Sequence, residues 1–349
     1  NLGMHCISDS DQYFVILPPA NDLFAVLIRR GPYPEVITEG VELSYAVEQG
    51  FENPEKHVKF WEYSQHNFGV ELEPGVGLSG NQAATGVMQN SHSLDTAWEA
   101  NLVPVVPYTD QNEFNPYPLY TITAVDTASG EVLAETRMVA PTSTEMGCRN
   151  CHGGEWRLPE GAPVAGFSDE TSRNILEVHD RLNGTDLAEK AAAGEPQLCQ
   201  SCHGDPVLGT EGRPELLNFP AAIHGWHANY LRGSDEEACA YCHPNNPEGP
   251  TRCLRGYHDM LGLTCVSCHG AMEDHALSLL KAEQEAGKPS AERLMAVLSP
   301  RQAASVDEIE PRIPWLQEPD CESCHDFEET PDLDTATGFN RWTSGDPSE

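Results

Sequence analysis

Five copies of one pentapeptide constrain this chain more than any other feature. They read Cys148-Arg-Asn-Cys151-His152, Cys199-Gln-Ser-Cys202-His203, Cys239-Ala-Tyr-Cys242-His243, Cys265-Val-Ser-Cys268-His269 and Cys321-Glu-Ser-Cys324-His325. C-x-x-C-H is the attachment signature of c-type haem. The two thiols add across the haem vinyl groups, and the two-residue gap matches the spacing of those vinyls. The adjacent histidine then sits beneath the iron as its proximal ligand. Zinc sites show paired C-x-x-C clusters without an obligatory histidine. A redox dithiol occurs once, in a βαβ context. Five covalent haem c groups are therefore expected. The motifs are spaced unevenly, 51, 40, 26 and 56 residues between first cysteines, which excludes a tandem solenoid.

Haem c is attached outside the cytoplasm, so the chain is expected to be exported. Its start at Asn1 fits a mature product after signal-peptide removal. The expected location is extracellular or at the cell surface, otherwise periplasmic. No run of about 18 apolar residues appears, so no membrane span is expected. The net charge is −35, of which −15 falls in residues 1–147 and −20 in residues 148–349. The acidity is global, and no basic stripe exists to neutralise phosphates. Nucleic acid is excluded as a partner, and anionic membrane surfaces would repel the chain.

The predicted class is α+β. Residues 1–145 hold no C-x-x-C-H motif and read as a β-sandwich-like domain with an N-terminal ligand segment. Leu23, Ala25 and Leu27 alternate, as do Val41, Leu43, Tyr45 and Val47. Leu119 to Val125 and Val132 to Val139 flank Asp126-Thr-Ala-Ser-Gly130, a hairpin signal. Residues 146–349 read as a pentahaem domain of coil and short helices, with about 40 residues per haem. Helices are predicted at Glu170–Leu182, Asp186–Ala193, Ala271–Ala286 and Ser290–Val297. The porphyrins would supply the apolar mass around which this segment wraps.

Each iron has a second axial face. Nine histidines lie outside the motifs, and full bis-histidine ligation needs five. The selected distal ligands are His5, His179, His224, His227 and His258. His179 follows Ile175 and Leu176 on a helical stripe. His224 and His227 are three apart, close enough to serve two neighbouring haems. His275, on a predicted helix just after motif four, stands in reserve. His57 and His66 flank Phe60-Trp-Glu-Tyr63 and read as surface or core residues, and His92 reads as a loop residue. Cys6 and Cys253 are the two cysteines left over, and export favours a disulfide between them.

With these residues in view, the chain resembles a broad family of multihaem c-type cytochromes linked to extracellular electron transfer. The resemblance rests on Asn1-Leu-Gly-Met-His-Cys6, Ile16-Leu-Pro-Pro-Ala-Asn21, Phe60-Trp-Glu-Tyr63, Asn115-Pro-Tyr-Pro-Leu119 and Pro141-Thr-Ser-Thr-Glu-Met146. It extends through Leu176–Asp180, Ala222–Ala228 and Cys253-Leu-Arg-Gly256. It implies ligand histidines at His5, His179, His224 and His227, and one near His258. Some relatives polymerise into cytochrome filaments in which an N-terminal histidine is donated to the next subunit, so other copies of the chain are implied partners. Redox proteins and extracellular electron acceptors are the others. The implied activity is electron conduction without catalysis. A discrete carrier and a reductase with one open haem site are the alternatives. Reduced pyridine haemochrome spectra should return five haems per chain, and a clearly lower number would defeat the motif reading.

Overall fold

The computed structural model describes residues 5–8, 10–91, 97–140, 142–144, 148, 152, 169–206, 209–233, 235–243, 260–314, 317, 333–334 and 339–340. The described chain is α+β, with the longer strands before motif one and most of the helices after it. The strands that matter here are β1 (His5–Ile7), β2 (Asn21–Ala25), β3 (Val41–Val47), β4 (Thr85–Val87), β5 (Gln89–Asn90), β6 (Trp98–Val103), β7 (Leu119–Asp126), β8 (Val132–Val139) and β9 (Thr142–Thr144). One antiparallel sheet runs β8-β7-β3-β4, and another runs β2-β6-β5. β1 lies parallel to β9, pairing His5 with Thr142.

The period of two in β3 and β7 turns one face inward. Leu43 and Tyr45 are buried in β3, and Tyr120, Ile122 and Ala124 in β7. They meet Leu23, Trp98, Ala100 and Val103 of the second sheet in one apolar cluster. Tyr45 and Tyr120 lie 6.0 Å apart, and their hydroxyls donate to the carbonyls of Gln82 and Ala83. A Cβ at position 86 would land 2.4 Å from the Tyr45 hydroxyl, so only glycine fits beneath that ring. β8 is exposed along most of its length, and Glu135 and Arg137 charge this edge against further strand pairing.

Helix α1 (Phe60–Phe68) interrupts the strand-rich half, where the sequence reading expected none. It buries Phe60, Ser64 and Asn67 and stops at Gly69, whose φ of 74° suits a left-handed cap. Phe60 belongs to a second cluster with Ile7, Phe14, Val58, Val106 and Tyr108. Leu176 and Ala191, from the helical half, complete it, and Cys148 and Cys199 pack against it. The two halves are thus stitched together at motifs one and two. Phe14–Val15 also pairs in parallel with Gln197–Leu198, just before motif two.

The helices are α2 (Asp169–Asn183), α3 (Leu187–Ala192), α4 (Phe219–His227), α5 (Asp235–Ala240), α6 (Cys265–His269), α7 (Met272–Glu285) and α8 (Pro289–Met295). Four of them overlap the predicted segments, and α4, α5 and α6 were not predicted as helices. A third cluster joins α4, α7 and α8 through Ala221, Ala228, Ala276, Leu277, Leu280, Ala291 and Leu294. Ala221, Gly225 and Ala228 form a small-residue stripe on α4. A Cβ on Gly225 would meet Leu280 at 3.0 Å, so glycine here permits close approach of α4 to α7.

Two outcomes follow for the strand-rich half. Leu23→Ala should lower its unfolding free energy by about 2–5 kcal/mol, read by denaturant titration. Asp126 anchors the β7–β8 turn. The N–H of Ser129, its hydroxyl and the N–H of Ala128 hold the exposed Asp126 carboxyl below its ordinary 3.8. A carboxyl held low contributes stability that is present above 3.8 and lost as the pH falls through its lower folded value. Asp126→Asn should therefore flatten the acid limb of a thermal-unfolding profile and leave its neutral-to-alkaline shape unchanged.

Candidate functional site

Motif geometry begins with a single turn of backbone. The His152 N–H donates to Cys148 O and the His243 N–H to Cys239 O, both at 2.8 Å. Motif two turns at Cys199, whose carbonyl accepts from the Cys202 N–H at 3.2 Å. Motif four is α6, started by a capping box between Thr264 and Ser267. Residues i, i+3 and i+4 share one face of a helical turn, which in α6 puts Cys265, Cys268 and His269 on one side.

Each motif histidine within the described residues then faces a histidine from elsewhere in the chain. His152 faces His227, with ring centroids 6.5 Å apart and planes crossed at 82°. His203 faces His179 at 6.5 Å and 85°. His243 faces His224 at 6.2 Å with nearly parallel planes, 8° apart. His269 faces His275 at 6.0 Å and 89°. A metal held between two imidazoles, with bonds of about 2.0–2.1 Å and about 1.15 Å from each ligating nitrogen to its ring centre, separates the centroids by roughly 6.3 Å. All four gaps lie at that separation. Among the described residues no group of three or more His, Cys, Asp or Glu side chains forms a metal site. An ion in these gaps would need its other donors from a ligand that brings them.

Hydrogen bonds set which nitrogen faces the gap. The Nδ1 atoms of His203, His224 and His227 each lie 2.8 Å from a backbone carbonyl, of Leu217, Pro220 and Ile223 respectively. Nδ1 of His152 meets Asn174 Oδ1 at 3.0 Å, and Nδ1 of His179 meets Thr185 Oγ1 at 2.9 Å. The Thr185 hydroxyl donates in turn to Asp180. A proton held on Nδ1 leaves the Nε2 lone pair for a metal and fixes the ring. His275 departs from this pattern, because its Nδ1 meets the Arg312 guanidinium, which can only donate. His243 Nδ1 is buried with no partner among the described residues.

Burial favours the neutral form of five of these rings, the state a ligand requires. It pushes His243 down to about 4, with nearby His224 and His269 adding to the effect. Burial also lowers His179, His203 and His227, and it takes His275 well below its usual value.

Helix α4 presents two of the facing rings. Asn218 caps it through Ala221 N, and the buried Glu283 of α7 accepts from Asn218 N at 2.6 Å. Lys288 pairs with Glu283 at 2.8 Å. His275 is seated by a loop that wraps the start of α7. The Asp274 carboxylate accepts from the N–H groups of Arg301, Gln302 and Ala303. A cavity of about 440 Å³ opens beside motif four, lined by Cys268, His269, Asp274, Ser278 and Arg312 among others.

Of the residues selected from the sequence, His179, His224 and His227 stand opposite motif histidines. His275, held in reserve, stands there too. Its signal was position, six residues beyond His269 on an apolar helix. His5 and Cys6 lie on β1, and their side chains are outside the described residues, as are Cys151, Cys253, His258, Cys321, Cys324, His325 and His92. His57 is buried against Asn112, 2.7 Å from its side-chain oxygen, and His66 meets the Pro196 carbonyl at 3.1 Å. Comparison with protein-family models, curated proteins and solved structures gave no match. No described helix is long and apolar enough to cross a membrane.

Proposed function

We propose that this chain is an exported electron-transfer protein carrying five covalent haem c groups, each held by two histidines. The observation that carries the reading is the set of four facing pairs, each made of a motif histidine and a histidine outside the motifs. A porphyrin supplies four equatorial nitrogens, which accounts for a site with only two protein donors. When bound, such a group accepts and releases single electrons, at a potential tuned by its ligands and burial.

In this reading Cys148, Cys151, Cys199, Cys202, Cys239, Cys242, Cys265, Cys268, Cys321 and Cys324 tether the groups. His152 and His227, His203 and His179, and His243 and His224 would hold the first three irons, and His269 and His275 the fourth once the Arg312 contact on His275 Nδ1 is released and the ring proton moves there. The fifth iron, on His325, falls to His5 or His258. The histidine not used in this way is free to serve another copy of the chain. The chain therefore reads as a conduit that polymerises into an extracellular filament. Residues 1–145 act as the β-rich assembly unit and residues 146–349 as the haem-bearing unit. A Cys6–Cys253 disulfide would tie the His5 segment to the latter.

A protein imidazole stands on both sides of each of the four gaps. That supports conduction over reductase chemistry at these stations, since a substrate would find no free axial face. Low-temperature EPR of the oxidised protein should show low-spin ferric signals only. Three should carry the strong anisotropy of crossed ligand planes, and one, at motif three, the rhombic form of parallel planes. His275→Ala should add a high-spin signal. A high-spin signal in the parent protein, or no change in the variant, would overturn the reading.

A further inference from the structure

We infer that the four described stations are laid out in space as two–one–three–four, so that the order along the chain is not the order of the relay. This layout rests on the bis-histidine reading above and adds to it which stations are neighbours.

The link between stations one and three is a single helix. His227 faces His152 of motif one, and His224 faces His243 of motif three. They are three residues apart on α4, about 4.5 Å along its axis.

The link between one and two is α2. Asn174 accepts from His152 of motif one, and His179 faces His203 of motif two. These two α2 residues are separated by five positions, about 7.5 Å of helix. Cys148 and Cys199, the first thiols of motifs one and two, also pack against the cluster that holds Leu176.

The link between three and four is direct contact. His224 and His275, the distal rings of the two stations, touch edge to face at 4.7 Å. Helix α5, which holds Cys239 of motif three, lies against α6, which begins at Cys265 of motif four.

Helix α7 separates the two ends of the series. His275 lies in its first turn. Glu283, eight residues and about 12 Å further along, accepts from the N–H of Asn218, next to Leu217, whose carbonyl meets His203 Nδ1. Stations two and four are thus held at opposite ends of one rigid element.

Iron positions in crystals of the haem-loaded protein, located by anomalous scattering, test the layout directly. The iron of motif one should lie closer to those of motifs two and three than they lie to each other. The iron of motif four should lie nearest that of motif three. Irons two and three closer to each other than either is to iron one would overturn the layout while leaving the function intact. Motifs without iron would instead overturn the bis-histidine reading from which the layout starts.

Discussion

Everything about the helical half depends on the separation between two imidazole rings. Three of the four gaps near six ångströms join backbone segments far apart in the chain, and each requires both segments to be held in place. The Nδ1 hydrogen bonds do this locally, through carbonyls one helical turn back on α4 and through Asn174 and Thr185 on and after α2. The same bonds keep the proton off the nitrogen that faces the gap. Burial acts in the same direction by disfavouring the charged ring.

The packing of the helices is subordinate to that requirement. Helix α4 carries small residues on the face toward α7 and α8 and its two histidines on the neighbouring face. Its start is fixed by Asn218 and Glu283 rather than by length, since nine residues alone make a marginal helix. The strand-rich half needs no such help. Its two sheets close over Leu23, Leu43, Tyr45, Tyr120 and Ile122, an ordinary apolar core.

What the sequence disclosed follows the range of the interactions involved. The five C-x-x-C-H motifs were legible because one fixed local spacing recurs. β3 was legible because alternation is local, β7 and β8 because they flank a turn signal, and α2 because apolar residues recur on one side. The pairing of rings was not legible, since His152 and His227 meet only through tertiary packing. His275 was ranked below His258 for that reason: an apolar helix gives no sign of what lies opposite it. Helix α1 escaped notice because Phe60, Trp61 and Tyr63 favour strands as readily as helices. Its helical state is settled by burial of Phe60 against Val58 and Tyr108.

Gly225 stands between His224 and His227, and its missing side chain lets α4 settle on Leu280 and Leu294. The two rings that flank it face different partners. A Cβ at this position would press on the methyl ends of Leu280 and Leu294 at 3.0–3.2 Å, on the face of the helix next to both rings. His224 and His227 thus share one rigid carrier, so a shift of α4 moves both rings together.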